Sequence, residues 1–191
     1  MKTLLTTLLL LLSTAASAAE PKPRITNIEA PGNLTATQPV GCVPLATLTN
    51  RHTPADLFPG VRACIEAGEH KDASELYALA GVYGRFDTLR VADQSAHQAV
   101  TVLRMGHLAP VDPDLMQSFR AEVPKYFDRG SPELARICVQ LRELGEPAYR
   151  PDYMLRHGMS AFTGRGGGIR ADFDPEAAWR QALEGYLHCP G

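Results

Sequence analysis

The stretch Ser131-Pro132-Glu133-Leu134-Ala135-Arg136-Ile137-Cys138-Val139-Gln140-Leu141-Arg142-Glu143-Leu144-Gly145 decides the fold class. A serine that can cap free backbone N–H groups precedes a proline suited to a first helical turn, and an acid follows where the helix dipole is positive. Leu134, Ile137, Cys138, Leu141 and Leu144 then recur at three- and four-residue spacing, which stacks them on one helical face, and Gly145 supplies the stop. The same start signal stands earlier as Thr53-Pro54-Ala55-Asp56 and later as Asp174-Pro175-Glu176.

Working outward, Leu57, Val61, Cys64 and Ile65 share a face that closes at Gly68, although Pro59-Gly60 interrupts this stretch and predicts that regular helix begins only there. A second helix is expected from about Lys71, burying Leu76, Leu79, Ala80 and Tyr83, and a third from about Ala92, burying Ala96, Ala99, Val100 and Leu103. Pro110 and Pro113 punctuate the chain before Leu115, Phe119, Val123 and Tyr126, a helix in which Pro124 predicts a kink or an early break. After Gly145, Asp152 to Phe162 reads as one helix, Gly164 to Gly168 as a flexible turn, and Trp179, Ala182, Leu183 and Tyr186 as the face of a last helix. No alternating strand pattern competes convincingly, so the expected class is all-α, built of antiparallel αα-hairpins.

Residues 1–18 read as a secretory leader: Lys2, an apolar run from Leu4 to Leu12, and Ala16-Ser17-Ala18 before the expected cut. That run is shorter than the roughly 20 residues a membrane span requires, so no span is expected after cleavage. The domain plan is then an irregular arm over 19–50, broken by Pro21, Pro23, Pro31, Pro39 and Pro44, and a helical domain over 51–191. The expected location is periplasmic or secreted. All four cysteines lie beyond the leader, and an even count in an oxidising compartment favours two disulfides. Three pairings are possible. Cys42 with Cys64 and Cys138 with Cys189 is preferred, because it ties the arm to a helix and the C-terminus to the core. No C-x-x-C spacing supports a zinc site.

The 19 Lys and Arg against 21 Asp and Glu leave a formal charge of −2, and −3 once Lys2 departs with the leader. With the two signs mixed along the chain there is no basic field of the kind that drives nucleic-acid affinity.

Gly164-Arg165-Gly166-Gly167-Gly168, Asp172-Phe173 and Ala177-Ala178-Trp179-Arg180-Gln181-Ala182-Leu183-Glu184-Gly185-Tyr186 together resemble the second half of a Sel-like repeat, an αα-hairpin family related to tetratricopeptide repeats. Ala67-Gly68 through Tyr83-Gly84 is similar to the small-residue packing of such hairpins. No period recurs three times, and residues 88–130 fit poorly. The resemblance implies a protein-binding αα surface with no catalytic residue; no cofactor is expected.

Candidate chemistry is sparse. Gly158-Met159-Ser160-Ala161-Phe162 departs by one residue from the G-x-S-x-G nucleophile elbow, and it makes Ser160 the candidate of an alternative small envelope hydrolase. The six histidines include no H-E-x-x-H and no i,i+4 pair, so no metal site is expected. The run Gly164 to Arg170 offers unhindered N–H groups between arginines, a pattern suited to an anion but also to a plain connector. Arg85, Asp87, Arg90 and His97 cluster near a helix end and are the expected binding edge for another protein or a peptide. An immunity or adaptor protein against an envelope effector fits this reading; a purely structural assembly partner is the other alternative.

Overall fold

The computed structural model describes residues 29–191. The expected leader, residues 1–18, lies outside the described residues. Among the described residues eight α-helices follow in chain order: α1 (Pro54–Ala67), α2 (His70–Arg90), α3 (Ala99–Leu108), α4 (Pro113–Phe127), α5 (Pro132–Leu144), α6 (Asp152–Leu155), α7 (Ser160–Thr163) and α8 (Pro175–Arg180). Short 3-10 turns occupy Leu45–Thr47 and Gln94–Gln98, and a π-helical turn, Gln181–Tyr186, continues α8. Among the described residues there is no β-strand, only an isolated bridge between Val91 and Ile169, so the chain is all-α.

α1 begins at Pro54, earlier than the Pro59-Gly60 pair predicts. The Thr53 hydroxyl accepts the Asp56 amide at 3.2 Å while the Asp56 carboxylate accepts the Thr53 amide at 2.8 Å, a reciprocal cap that starts the helix upstream. The second Asp56 oxygen accepts the amides of Thr37 and Gln38 at 2.7 and 2.6 Å, so one buried carboxylate both caps α1 and moors the arm. Pro59 removes one helical hydrogen bond, yet the helix runs through it. Gly60 marks the crossing of the arm: a Cβ there would stand 2.6 Å from the Gly41 carbonyl and 2.8 Å from the Val40 side chain.

Gly68, left-handed at φ +76°, ends α1 and turns the chain into α2, forming the central helix hairpin. α2 packs against α1, α4, α5 and α8, and is therefore buried nearly all round rather than along one stripe. Even Ser74, Glu75, Asp87 and Arg90 are enclosed. Glu75, 1 % exposed, accepts from Arg136 on α5 at 2.6 Å, with the Lys71 ammonium 3.6 Å away. α4 and α5 make a second hairpin, and α4 runs past Pro124 to Phe127 before Asp128 caps it.

Both expected disulfides are present. Cys42–Cys64 joins the arm to α1, and Cys138–Cys189 joins α5 to the C-terminal segment.

Three further expectations need correction. The helix expected from Ala92 begins instead as a 3-10 turn capped by Asp93, with α-helix only from Ala99. The single helix expected over Asp152–Phe162 is two separate turns, α6 and α7, because Gly158 between them is pressed against the Asp93 carboxylate and the Ala96 methyl. The Gly164–Gly168 turn is fastened to the end of α2, with the Ala92 amide donating to Gly168 at 3.0 Å and the Arg170 amide to Arg90 at 2.8 Å.

Asp93 is the pin of this region. It accepts the Ser95 amide and hydroxyl at 2.9 and 2.6 Å and the Ser160 amide at 2.8 Å. Burial opposes its ionisation, but the hydrogen bonds from Ser95 and Ser160 outweigh it and pull the carboxyl down to about 2. A carboxyl held below its ordinary value of 3.8 stabilises the fold above that value, and the contribution disappears as pH falls toward about 2. Asp93→Asn is expected to melt below the parent at neutral pH, with the gap closing between about pH 4 and pH 2. Thermal melts across that range check this; a gap independent of pH contradicts it.

Candidate functional site

Two glycines on α2 prepare a groove. At Gly81 a Cβ would fall 2.5 Å from the Tyr186 hydroxyl, and at Gly84 it would fall 2.7 Å from a Val100 methyl, so both neighbours come close only because these positions lack side chains. The resulting hollow, about 430 Å³, lies among α2, α3 and the end of the π turn, and is lined by Phe58, Tyr77, Arg85, His97, Arg104 and Tyr186. A second hollow of about 400 Å³ shares Tyr77 and Arg104 and continues between α3 and α4, lined by Met105, Leu108, Met116, Phe119, Arg120 and Val123. Met105 on its rim is 61 % exposed.

The charge of this paired groove is one-sided. Its walls hold Arg85, Arg104 and Arg120 and no carboxylate. Among the described residues none of these three forms a salt bridge, and Arg104 makes only a long 3.4 Å bond to the Tyr77 hydroxyl. His97 donates from Nε2 to the Val91 carbonyl at 2.9 Å, which in the neutral ring leaves Nδ1 as the acceptor.

The expected edge of Arg85, Asp87, Arg90 and His97 is divided by α2. Arg85 and His97 line the groove. Asp87 and Arg90 do not: they are 0 % and 8 % exposed, and form a buried ion pair with Arg90 Nε and Nη2 at 2.8 and 2.7 Å from Asp87 Oδ1. The other Asp87 oxygen accepts the hydroxyls of Tyr153 at 2.6 Å and Tyr149 at 3.0 Å. The Arg90 guanidinium lies 5.1 Å from the ring centres of both Phe86 and Tyr149. Burial drives the Asp87 carboxyl upward against the pull of Arg90 and the two tyrosines, while burial and the Asp87 charge drive both tyrosines well up, keeping them as donors.

The i,i+3 spacing of Asp87 and Arg90 announces the pair. Its burial depends on tyrosines 62 and 66 residues further along, which no local pattern reveals. Because Arg90 is buried against Asp87, a charge reversal there would disturb the fold, so Arg85 and Arg90 do not act as one surface edge. Arg104, Arg120, Tyr77 and Tyr186 are groove residues the sequence reading did not single out for binding. Their signal is exposed arginine at helical spacing from apolar residues, legible only once α3 is paired with α4.

Ser160 opens α7 with its amide bonded to Asp93, and the nearby His157 pairs through Nδ1 with Asn33 at 2.9 Å. Burial lowers the His157 pKa, partly offset by Glu29. Among the described residues no group of three or more His, Cys, Asp or Glu is placed to hold a metal ion, and no helix is long and apolar enough to cross a membrane. No protein-family model matches this chain, nor does a curated protein or a solved structure.

Proposed function

We propose that this chain is an exported, disulfide-stabilised helical module that binds an acidic, apolar segment of another protein in the groove between α2, α3 and α4. The observation that carries the reading is the groove wall itself: three arginines with no carboxylate, set among Tyr77, Tyr186, Met105, Leu108 and Phe119, on a chain whose formal charge is −2. Guanidinium groups beside aromatic and flexible apolar side chains suit a partner that offers a carboxylate next to an apolar anchor. Two hollows that share Tyr77 and Arg104 suit anchors on successive turns or alternate residues of one segment.

The crosslinked fold and the leader-like N-terminus agree with work in an oxidising compartment outside the cytoplasm. Within that setting, an immunity or adaptor role against an envelope effector is the specific form we favour, with the Sel-like hairpin as its architecture.

Arg85→Glu with Arg104→Glu tests the reading, since both side chains sit at the groove and neither forms a salt bridge among the described residues. A displayed library of peptides pairing acidic and apolar residues is expected to enrich binders on the parent protein and to lose at least about tenfold in affinity on the double variant, with an unchanged melting temperature. Enrichment of neutral or basic peptides, or binding insensitive to the double variant, contradicts the proposal.

A further inference from the structure

A second cleft, lined by different residues, forms where the arm meets the segment after α5. Arg51, Arg150 and Arg156 stand in its wall together with Thr35, Thr37 and Tyr149, around a volume of about 580 Å³. An adjoining hollow of about 410 Å³ shares Arg150 and Arg156 and adds the glycines of the Gly164–Gly168 turn. Against three guanidinium groups the two walls set a single carboxylate, Asp152, 3.3 Å from Arg150.

The cleft is built rather than incidental. Arg156 donates from Nη1 to the Pro31 carbonyl at 3.1 Å, and its stem lies across Gly32, where a Cβ would stand 2.7 Å from Arg156 Cδ. Gly32 also holds φ +86°, so the arm supplies a glycine at the one point where it must both turn and admit the arginine. The Arg51 side chain forms no salt bridge and no hydrogen bond among the described residues; only its backbone amide is engaged, donating to the Thr49 hydroxyl at 3.4 Å. The amides of Gly166, Gly167 and Gly168 likewise find no acceptor among the described residues, and the positive φ of Gly166 and Gly168 gives the uneven-handed backbone that makes anion-binding concavities.

We propose that this cleft binds a phosphoryl group, with Arg150 and Arg156 at its centre, the Gly166–Gly168 amides as further donors, and Arg51 engaging a second anionic group of the same ligand. Three guanidinium groups and three free amides offer more donors than the two oxygens of a carboxylate use. They match the three strong acceptor oxygens of a phosphate monoester or the larger set of a diphosphate. This assignment is independent of the acidic-peptide groove.

Inorganic pyrophosphate, titrated calorimetrically into the disulfide-bonded protein at low ionic strength, is the probe. Saturable binding is expected, weakened at least about tenfold by Arg156→Ala and about fivefold by Arg51→Ala, and unchanged in the Arg85→Glu, Arg104→Glu variant. Should Arg156→Ala loosen the arm, Arg51→Ala decides alone, because the Arg51 side chain forms no hydrogen bond or salt bridge among the described residues. Absence of saturable binding at millimolar pyrophosphate overturns the proposal. So does an equal loss in the groove variant, which shows only general attraction of an anion to arginine. Vesicles of phosphatidylcholine with and without phosphatidic acid separate the sources. Sedimentation that depends on phosphatidic acid and on Arg51 assigns the group to a lipid headgroup; pyrophosphate binding without it assigns a soluble phosphate.

Discussion

Arg90→Met is expected to lower the stability of the folded protein by about 3–5 kcal/mol, among the largest losses from any single substitution in this chain. The guanidinium is the only cation within salt-bridge distance of Asp87 among the described residues, and Asp87 is 0 % exposed. Its removal leaves a buried carboxylate with only the Tyr149 and Tyr153 hydroxyls to receive its charge. The side chain also fills the space between Phe86 and Tyr149, which methionine only partly occupies. Removing both charges has a different outcome. Asp87→Leu combined with Arg90→Met is expected to recover a substantial part of the loss, since a buried pair gains little net energy over apolar groups of similar volume. Urea titrations of the two single variants and the double variant measure this. Additive losses, or an Arg90→Met loss below about 1 kcal/mol, contradict the buried-pair account.

The second large effect is expected from the disulfides. In the chain-entropy description, crosslinks that close 22 and 51 residues contribute about 3.4 and about 4.1 kcal/mol respectively. Cys138→Ala with Cys189→Ala is therefore expected to cost more than Cys42→Ala with Cys64→Ala. Packing strengthens the order, because Cys138 and Cys189 are both buried, 0 % and 4 % exposed, and the C-terminal segment they hold carries Leu183 and Leu187 into the core. The arm keeps a second mooring after its crosslink is lost, through the Thr37 and Gln38 amides on Asp56. Denaturant midpoints of the two paired variants check the ranking, and an equal or reversed order refutes it. Parent protein alkylated without reductant is expected to take up no label.

Most helices were legible locally. The α5 stripe of Leu134, Ile137, Cys138 and Leu141 is buried as its spacing predicts, and Ser131 caps it with a 3.0 Å bond to the Leu134 amide. Thr53 and Asp174 begin helices for the same reason. The failures cluster where distant chain decides local shape. Pro59-Gly60 reads as a break, yet it is a crossing point for the arm. The segment from Asp152 to Phe162 reads as one helix, yet Gly158 is held against Asp93 from a turn more than 60 residues earlier.

The candidate groove was half legible. Arg85 and His97 belong to it, whereas Asp87 and Arg90, one turn apart on the same helix, face the interior. Polar residues on a helix ordinarily mark its solvated side. On α2 they do not, because its partners surround it and supply Arg136 to Glu75 and two tyrosines to Asp87.

What the amino-acid sequence by itself determined here is the all-α class and most helix starts and stops, because caps, periodicity and turn residues act within a few positions of one another. It left three cysteine pairings possible, and the tertiary structure decided between them by bringing together residues 22 and 51 apart. Only the tertiary structure decided which polar residues of α2 are core and which are surface, and where the two clefts open. Those outcomes depend on which helices enclose α2 and on close approaches at Gly32, Gly81 and Gly84, and such contacts join residues far apart in the chain.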